Sequence, residues 1–85
     1  MQEGLLWFDK DPRHAPADKA TEAAAHYQAK FGIKPDTCFF NPADLNGENG
    51  TEVNGVRLRT ASNVLRYHLR IGVENKARMA IANGK

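Results

Sequence analysis

The chain predicts an α+β fold: a two-layer sandwich of strand, helix and strand, followed by an antiparallel hairpin and a short C-terminal helix. Three observations carry this expectation. The stretch VRLRTASNVLRYHLRIGV, Val56–Val73, sets Val56, Leu58, Leu65, Tyr67, Leu69, Ile71 and Val73 on one side and Arg57, Arg59, Arg66, His68 and Arg70 on the other. That is the period of two with which strand side chains alternate between faces. The segment PADKATEAAAHYQAKF, Pro16–Phe31, is alanine-rich and stands between a proline and Gly32, the punctuation of a helix. Short apolar runs bounded by turn residues flank that helix on both sides, as strands do.

Gly4-Leu5-Leu6-Trp7-Phe8-Asp9 opens the order with four consecutive large apolar residues closed by Asp11-Pro12. A run with no polar alternation predicts a strand covered on both faces, or one with a buried face and an interface. Pro12 and Pro16 hold the next residues extended or turning. In the helix, Pro16 suits the first turn, Asp18 lies near the positive end of the dipole and Lys30 near the negative end. Ala20, Ala24, Tyr27 and Phe31 share a stripe, with Ala23 beside it. Its small residues let a helix lie close against a sheet. Gly32 terminates the helix and Pro35 blocks continuation.

Asp36–Asn41 reads as the second strand. Residues 41–51, NPADLNGENGT, read as a loop of turn dipeptides. Asn54-Gly55 fits either a two-residue hairpin turn or a bulge within a longer strand. The last strand is expected over Val64–Val73. Its rival is a helix over Asn63–Ile71 capped by Ser62, and the alternation from Leu65 to Val73 favours the strand. Glu74–Ala82 has helical composition. Strand–helix–strand segments place their strands parallel, the remainder adds by hairpins, and the length fits one domain over residues 1–85.

Composition narrows function. The apolar fraction is 41% and the charged fraction 26%, an ordinary soluble balance. The formal net charge of +2 hides a split: residues 1–50 carry eight acids and five bases, residues 51–85 two acids and seven bases. This raises the prior for an anionic partner of the second half, or for attraction between halves of two copies. The total charge is low for a dedicated nucleic-acid binder. A single cysteine, Cys38, excludes an intrachain disulfide and fits a reducing, cytoplasmic setting. No apolar run reaches the ~20 residues of a membrane span, and no signal peptide is visible.

The chemistry-bearing residues form no catalytic motif. Arg57, Arg59, Arg66, His68 and Arg70 form a cationic face suited to phosphate or carboxylate, with Trp7 as a stacking surface. The same pattern suits a solvated face that discourages edge pairing, or a face that pairs with the acidic half of another copy, and these readings outweigh the first. Asp9, Asp11 and His14 cluster at a strand end, with Asp36, Asp44 or Glu48 available, but nothing in the spacing supplies a third ligand. No metal and no cofactor are therefore expected. His14, His26 and His68 lack a helix-face partner at ligand spacing. Cys38, beside Phe39 and Phe40, reads as a small buried hydrophobe.

Three resemblances can be attached to particular residues. The pattern LLWFDKDP with PDTCFFNPADL resembles small conserved hypothetical proteins to which no activity is assigned. PDTCFFNPADL alone is also similar to a segment of phage capsid subunits. The order helix, three strands, helix after residue 15, with Gly72…Asn75-Lys76-Ala77-Arg78…Ala80-Ile81-Ala82, resembles the double-stranded RNA-binding domain, without that family's doubled lysines. None of the three supplies a functional residue. The reading is a non-enzymatic domain acting by protein association, with itself as a homodimer or with another protein, through an interface containing Leu5 and Trp7. The alternative is a nucleic-acid or polyanion-binding module using the arginine face.

Overall fold

The structure, a computed structural model, describes residues 4–45, 47 and 49–74. Its elements in chain order are β1 (Leu5–Phe8), α1 (Pro16–Phe31), β2 (Thr37–Phe40), the single turn α2 (Pro42–Leu45), β3 (Glu52–Val53), β4 (Val56–Thr60) and β5 (His68–Gly72). The strands form one mixed sheet in the order β1-β5-β2-β4-β3. β5 is antiparallel to both β1 and β2, β4 runs parallel to β2, and β3 is antiparallel to β4. β1 and β2 therefore share a direction, as a strand–helix–strand unit requires, with β5 inserted between them. The α+β expectation holds. The helix expected over Glu74–Ala82 lies, beyond Glu74, outside the described residues.

α1 has the bounds its sequence predicts. Pro16 occupies its first turn, and Gly32 ends it at φ 76°, its N–H donating to the Gln28 carbonyl. Asp18 accepts the Ala15 N–H at 3.3 Å, while Ala15 has no side-chain acceptor to return to the helix. Ala20, Ala23 and Tyr27 are buried, and Ala24 and Phe31 pack beside them. Against this stripe the sheet presents Cys38 and Phe40 from β2, Val56 and Leu58 from β4, and Leu69 and Ile71 from β5. Leu45 of α2 completes the core. α1 rests on β5, β4, β1 and β3, so one face of the sheet is covered. Among the described residues, no element lies over the other.

Asn54-Gly55 resolves as the hairpin turn. Val53 pairs with Val56 across it, and both turn residues have positive φ, 53° and 83°, as the type I′ turn of tight hairpins demands.

Two expectations need correction. The stretch 56–73 is not a hairpin: β4 and β5 lie on opposite sides of β2. The last strand also begins at His68 rather than Val64, and the rival helix does not form. Leu65 is 69% exposed and Tyr67 38% exposed, so the alternation breaks at its first two apolar positions. The cause is the loop at 41–45. Asn41 Oδ1 accepts the Ala43 N–H at 2.8 Å and caps α2, and Asn41 Nδ2 donates to the Val64 carbonyl at 2.8 Å. Asp44 accepts the Arg66 Nε–H at 2.7 Å and the Tyr67 N–H at 2.6 Å. These bonds draw Val64–Tyr67 across the end of β2, bury Val64, and hold Tyr67 at φ 64°.

Candidate functional site

Strand register places every outward side chain of the sheet. One row runs Leu6, Arg70, Phe39, Arg59 across β1, β5, β2 and β4. Beside it Phe8 pairs with His68, and on the other side Gly72, Thr37, Arg57 and Glu52 line up. This uncovered face is the first candidate surface. Its β1 end is apolar: Leu6 and Phe8 are each 58% exposed, and the Phe8 ring lies 5.0 Å from that of His68. Its β4 end is charged. Arg59 stands over the Phe39 ring at 5.9 Å, and Arg57 is 4.0 Å from Glu52.

Of the cationic residues read from the sequence, Arg57, Arg59, His68 and Arg70 lie on this face. Arg66 does not: it sits in the turn before β5, bound to Asp44 and over the Tyr67 ring at 4.8 Å. The Asp44 carboxylate also raises the pKa of the Arg66 guanidinium. Carboxylates interleave with the remaining arginines. A depression of about 380 Å³ is lined by Asp36, Thr37, Glu52, Gly55, Arg57, Arg59 and Glu74. A smaller one of about 210 Å³ lies between Phe39, Ala61, Asn63, Arg70 and Glu74. The face is thus mixed in charge rather than cationic.

Leu5 and Trp7 point the other way. Both are partly buried against the core, and the Trp7 ring lies 4.4 Å from that of His26 on α1. The exposed apolar residues of β1 are Leu6 and Phe8 instead. Within a run of four apolar residues the sequence offers no cue as to which pair faces the helix. The backbone adds a second property. The Asp9 N–H donates to the Tyr67 carbonyl at 2.9 Å, which assigns the odd-numbered residues of β1 to pairing with β5. In an antiparallel ladder successive residues direct their N–H and C=O groups to opposite sides. Leu6 and Phe8 therefore present theirs to the outer edge, where no described strand pairs with them.

A second cluster gathers where β1 ends. Asp9 Oδ2 lies 2.8 Å from His14 Nδ1, and Asp11 Oδ2 lies 3.7 Å from His14 Nε2. Glu22 of α1 joins: ligand atoms of Asp9, His14 and Glu22 all lie within 4.8 Å of one another. Asp9 is oriented by the Asp11 N–H on its Oδ1 at 2.9 Å and by Lys19 Nζ on its carbonyl oxygen at 3.1 Å. Partial burial pushes the Asp9 carboxyl up. The His14 ring, the Asp11 N–H and the charges of His14 and Lys19 outweigh this and leave its pKa below the usual value. The same hydrogen bond raises His14 against the opposing effect of burial, with help from the charges of Asp9, Asp11 and Glu22. Asp11 is lowered chiefly by its hydrogen bonds with Arg13. Glu22 is the member that sequence spacing missed, because only the docking of α1 beside β1 brings it there.

Cys38 lies in the core with burial pushing its thiol far above the ordinary range, which removes it from nucleophilic chemistry. Among the described residues, no helix is long and apolar enough to cross a membrane. Compared with protein-family models, with curated proteins and with solved structures, the chain finds no match.

Proposed function

We propose that this chain works by protein association rather than catalysis, pairing through the outer edge of β1. The observation that carries the reading is a coincidence in two residues. Leu6 and Phe8 expose their apolar side chains and turn their backbone N–H and C=O groups to an edge that no described strand pairs with. Edge strands in stable monomers are blunted by charges, prolines or bulges. The outward positions of β1 instead carry a leucine and a phenylalanine, and every residue from Leu5 to Phe8 pairs in regular register with β5.

A second copy satisfies this edge. A two-fold axis passing at Trp7 sets Leu6 of each copy opposite Phe8 of the other, with N–H and C=O groups exchanged and the four side chains in contact on the uncovered face. Two-fold self-pairing of this kind is the commonest route to a homodimer, and strand addition is a general mode of recognition. The edge is only four residues long. The contact falls towards the small end of specific interfaces, and a dissociation constant of micromolar order or weaker is expected. A cytoplasmic setting is proposed with it, on the single cysteine.

The row Arg70–Phe39–Arg59 favours a second reading, a single-stranded polyanion laid across the sheet. Stacking on Phe39 beside two guanidiniums suits it. Glu52, Asp36 and Glu74 among the arginines weigh against it.

Sedimentation equilibrium of the chain from about 10 µM to 1 mM decides between them. Reversible dimerisation, abolished in Leu6→Lys and in Phe8→Lys, is expected. A strict monomer across that range overturns self-association. Oligonucleotide binding that weakens with salt and is lost in Arg59→Glu and Arg70→Glu transfers the function to the second reading, because phosphate contacts release counterions.

A further inference from the structure

We infer that Asp9, His14 and Glu22 form a binding site for a divalent transition-metal ion of the zinc type. The site lies on the rim between the end of β1 and the first half of α1, apart from the uncovered sheet face. Its three side chains come from a strand end, a loop and a helix, and their ligand atoms lie within 4.8 Å of one another. A tetrahedral ion with bonds of about 2.0–2.1 Å sets its ligand atoms about 3.4 Å apart. His14 Nδ1 and Asp9 Oδ2, at 2.8 Å, need only a slight opening. Glu22, exposed on its helix, closes the remaining distance by side-chain rotation.

The surroundings are arranged for this use. The strand ladder holds the Asp9 backbone through its N–H, and Asp9 Oδ1 is occupied by the Asp11 N–H. Oδ2 is thereby left on the side of His14. The Asp11–His14 turn closes with the His14 N–H on the Asp11 carbonyl at 3.2 Å, which swings the ring back over Asp9. Metal at Nδ1 requires the ring to keep its proton on Nε2. Asp11 Oδ2, 3.7 Å from that nitrogen, is a short rotation from accepting it. A carboxylate behind a metal-bound imidazole is a recurrent outer-shell arrangement that orients the ring.

Imidazole with two carboxylates selects zinc-like ions over magnesium or calcium, which take oxygen ligands alone. Three protein ligands leave one position for water. Lys19 on the Asp9 carbonyl and Arg13 on Asp11 offset part of the negative charge, so an affinity of micromolar order is expected rather than that of a closed structural site. The bound ion fastens α1 to the end of β1.

The test uses the untagged full chain, titrated with Zn2+ by calorimetry and with Co2+ by visible absorption. Cobalt gives an intense absorption when its coordination is tetrahedral. The expected result is one ion per chain, no response to Mg2+, and affinity weakened at least tenfold in His14→Ala and in Glu22→Gln. Glu52→Gln, on the other rim of the sheet, is expected to bind as the parent does. Glu22 is exposed and its replacement isosteric, so that variant folds and keeps the test decisive even where His14→Ala loosens the loop. No uptake at about 1 mM Zn2+, or uptake unchanged in Glu22→Gln and His14→Ala, overturns the site. Dimerisation through β1 is read separately in metal-free buffer, so the two proposals fail independently.

Discussion

The carboxylate of Asp44 accepts from Arg66 Nε at 2.7 Å and from the Tyr67 N–H at 2.6 Å, and in doing so decides where β5 begins. Tyr67 sits at φ 64°, a left-handed conformation that costs a non-glycine residue free energy and persists only where neighbours enforce it. Asp44→Ala leaves the Tyr67 N–H without its acceptor. We expect a loss of about 1 kcal/mol, read as a fall in Tm of about 4–8 °C for a domain of this size. An unchanged Tm shows that the turn is held by Asn41 and Val64 alone. The arrangement also explains why Arg66, the middle member of an otherwise regular cationic series, leaves the sheet face. Alternation along a sequence reports a strand only while the backbone stays extended, and Asp44 interrupts it from 22 residues away in sequence.

At the scale of elements, α1 shows how much local sequence can decide and what it left undone. Its bounds follow from Pro16 and Gly32, and its buried stripe from the spacing of Ala20, Ala23 and Tyr27. Its N-cap is incomplete. Ala15 has extended dihedrals, φ −72° and ψ 162°, suited to a capping serine, but no oxygen to accept from the first-turn N–H groups. Ala15→Ser is expected to stabilise the chain by about 0.5–1 kcal/mol, with a rise of several degrees in Tm. A fall would show that the approach from Pro12 to Pro16 excludes a capping rotamer. The short turn α2 carries a local signal too, inside the stretch 41–51 that reads as loop. Asn41-Pro42-Ala43-Asp44 places a capping asparagine, a first-turn proline and an acid where a helix begins. A single turn is too brief to show periodicity, so only its start signals mark it.

At the scale of the molecule, the described residues form a sheet with α1 packed on one side. β2, with β5 on one side and β4 on the other, is its most protected strand, and Cys38 at its middle is fully buried. Thiol labelling of native protein is therefore expected to proceed only through opening of the whole core. Its rate is expected to rise with urea with the same dependence as equilibrium unfolding. Rapid labelling without denaturant would show that the sheet separates from α1 in a smaller opening. The opposite side carries Leu6, Phe8 and Phe39 in one surface with the arginines. Among the described residues, α1 covers one face of the five-stranded sheet and no element lies over the other.

What depends on neighbours along the chain is legible in the sequence. This includes the α+β class, the limits of α1, the Asn54-Gly55 hairpin, the burial of Cys38, and the inward turn of Val56, Leu58, Leu69 and Ile71. Each rests on a local rule of helix ends, turn chemistry or strand alternation. What depends on contacts between distant segments emerges only in the packed fold. That fold placed β5 between β1 and β2, separating Arg59 from Arg70 by Phe39. It turned Leu6 and Phe8 outward rather than Leu5 and Trp7, and it brought Glu22 to Asp9 and His14. Strand order and helix docking are set by how buried surfaces fit together across the core, and no spacing within the chain encodes that fit.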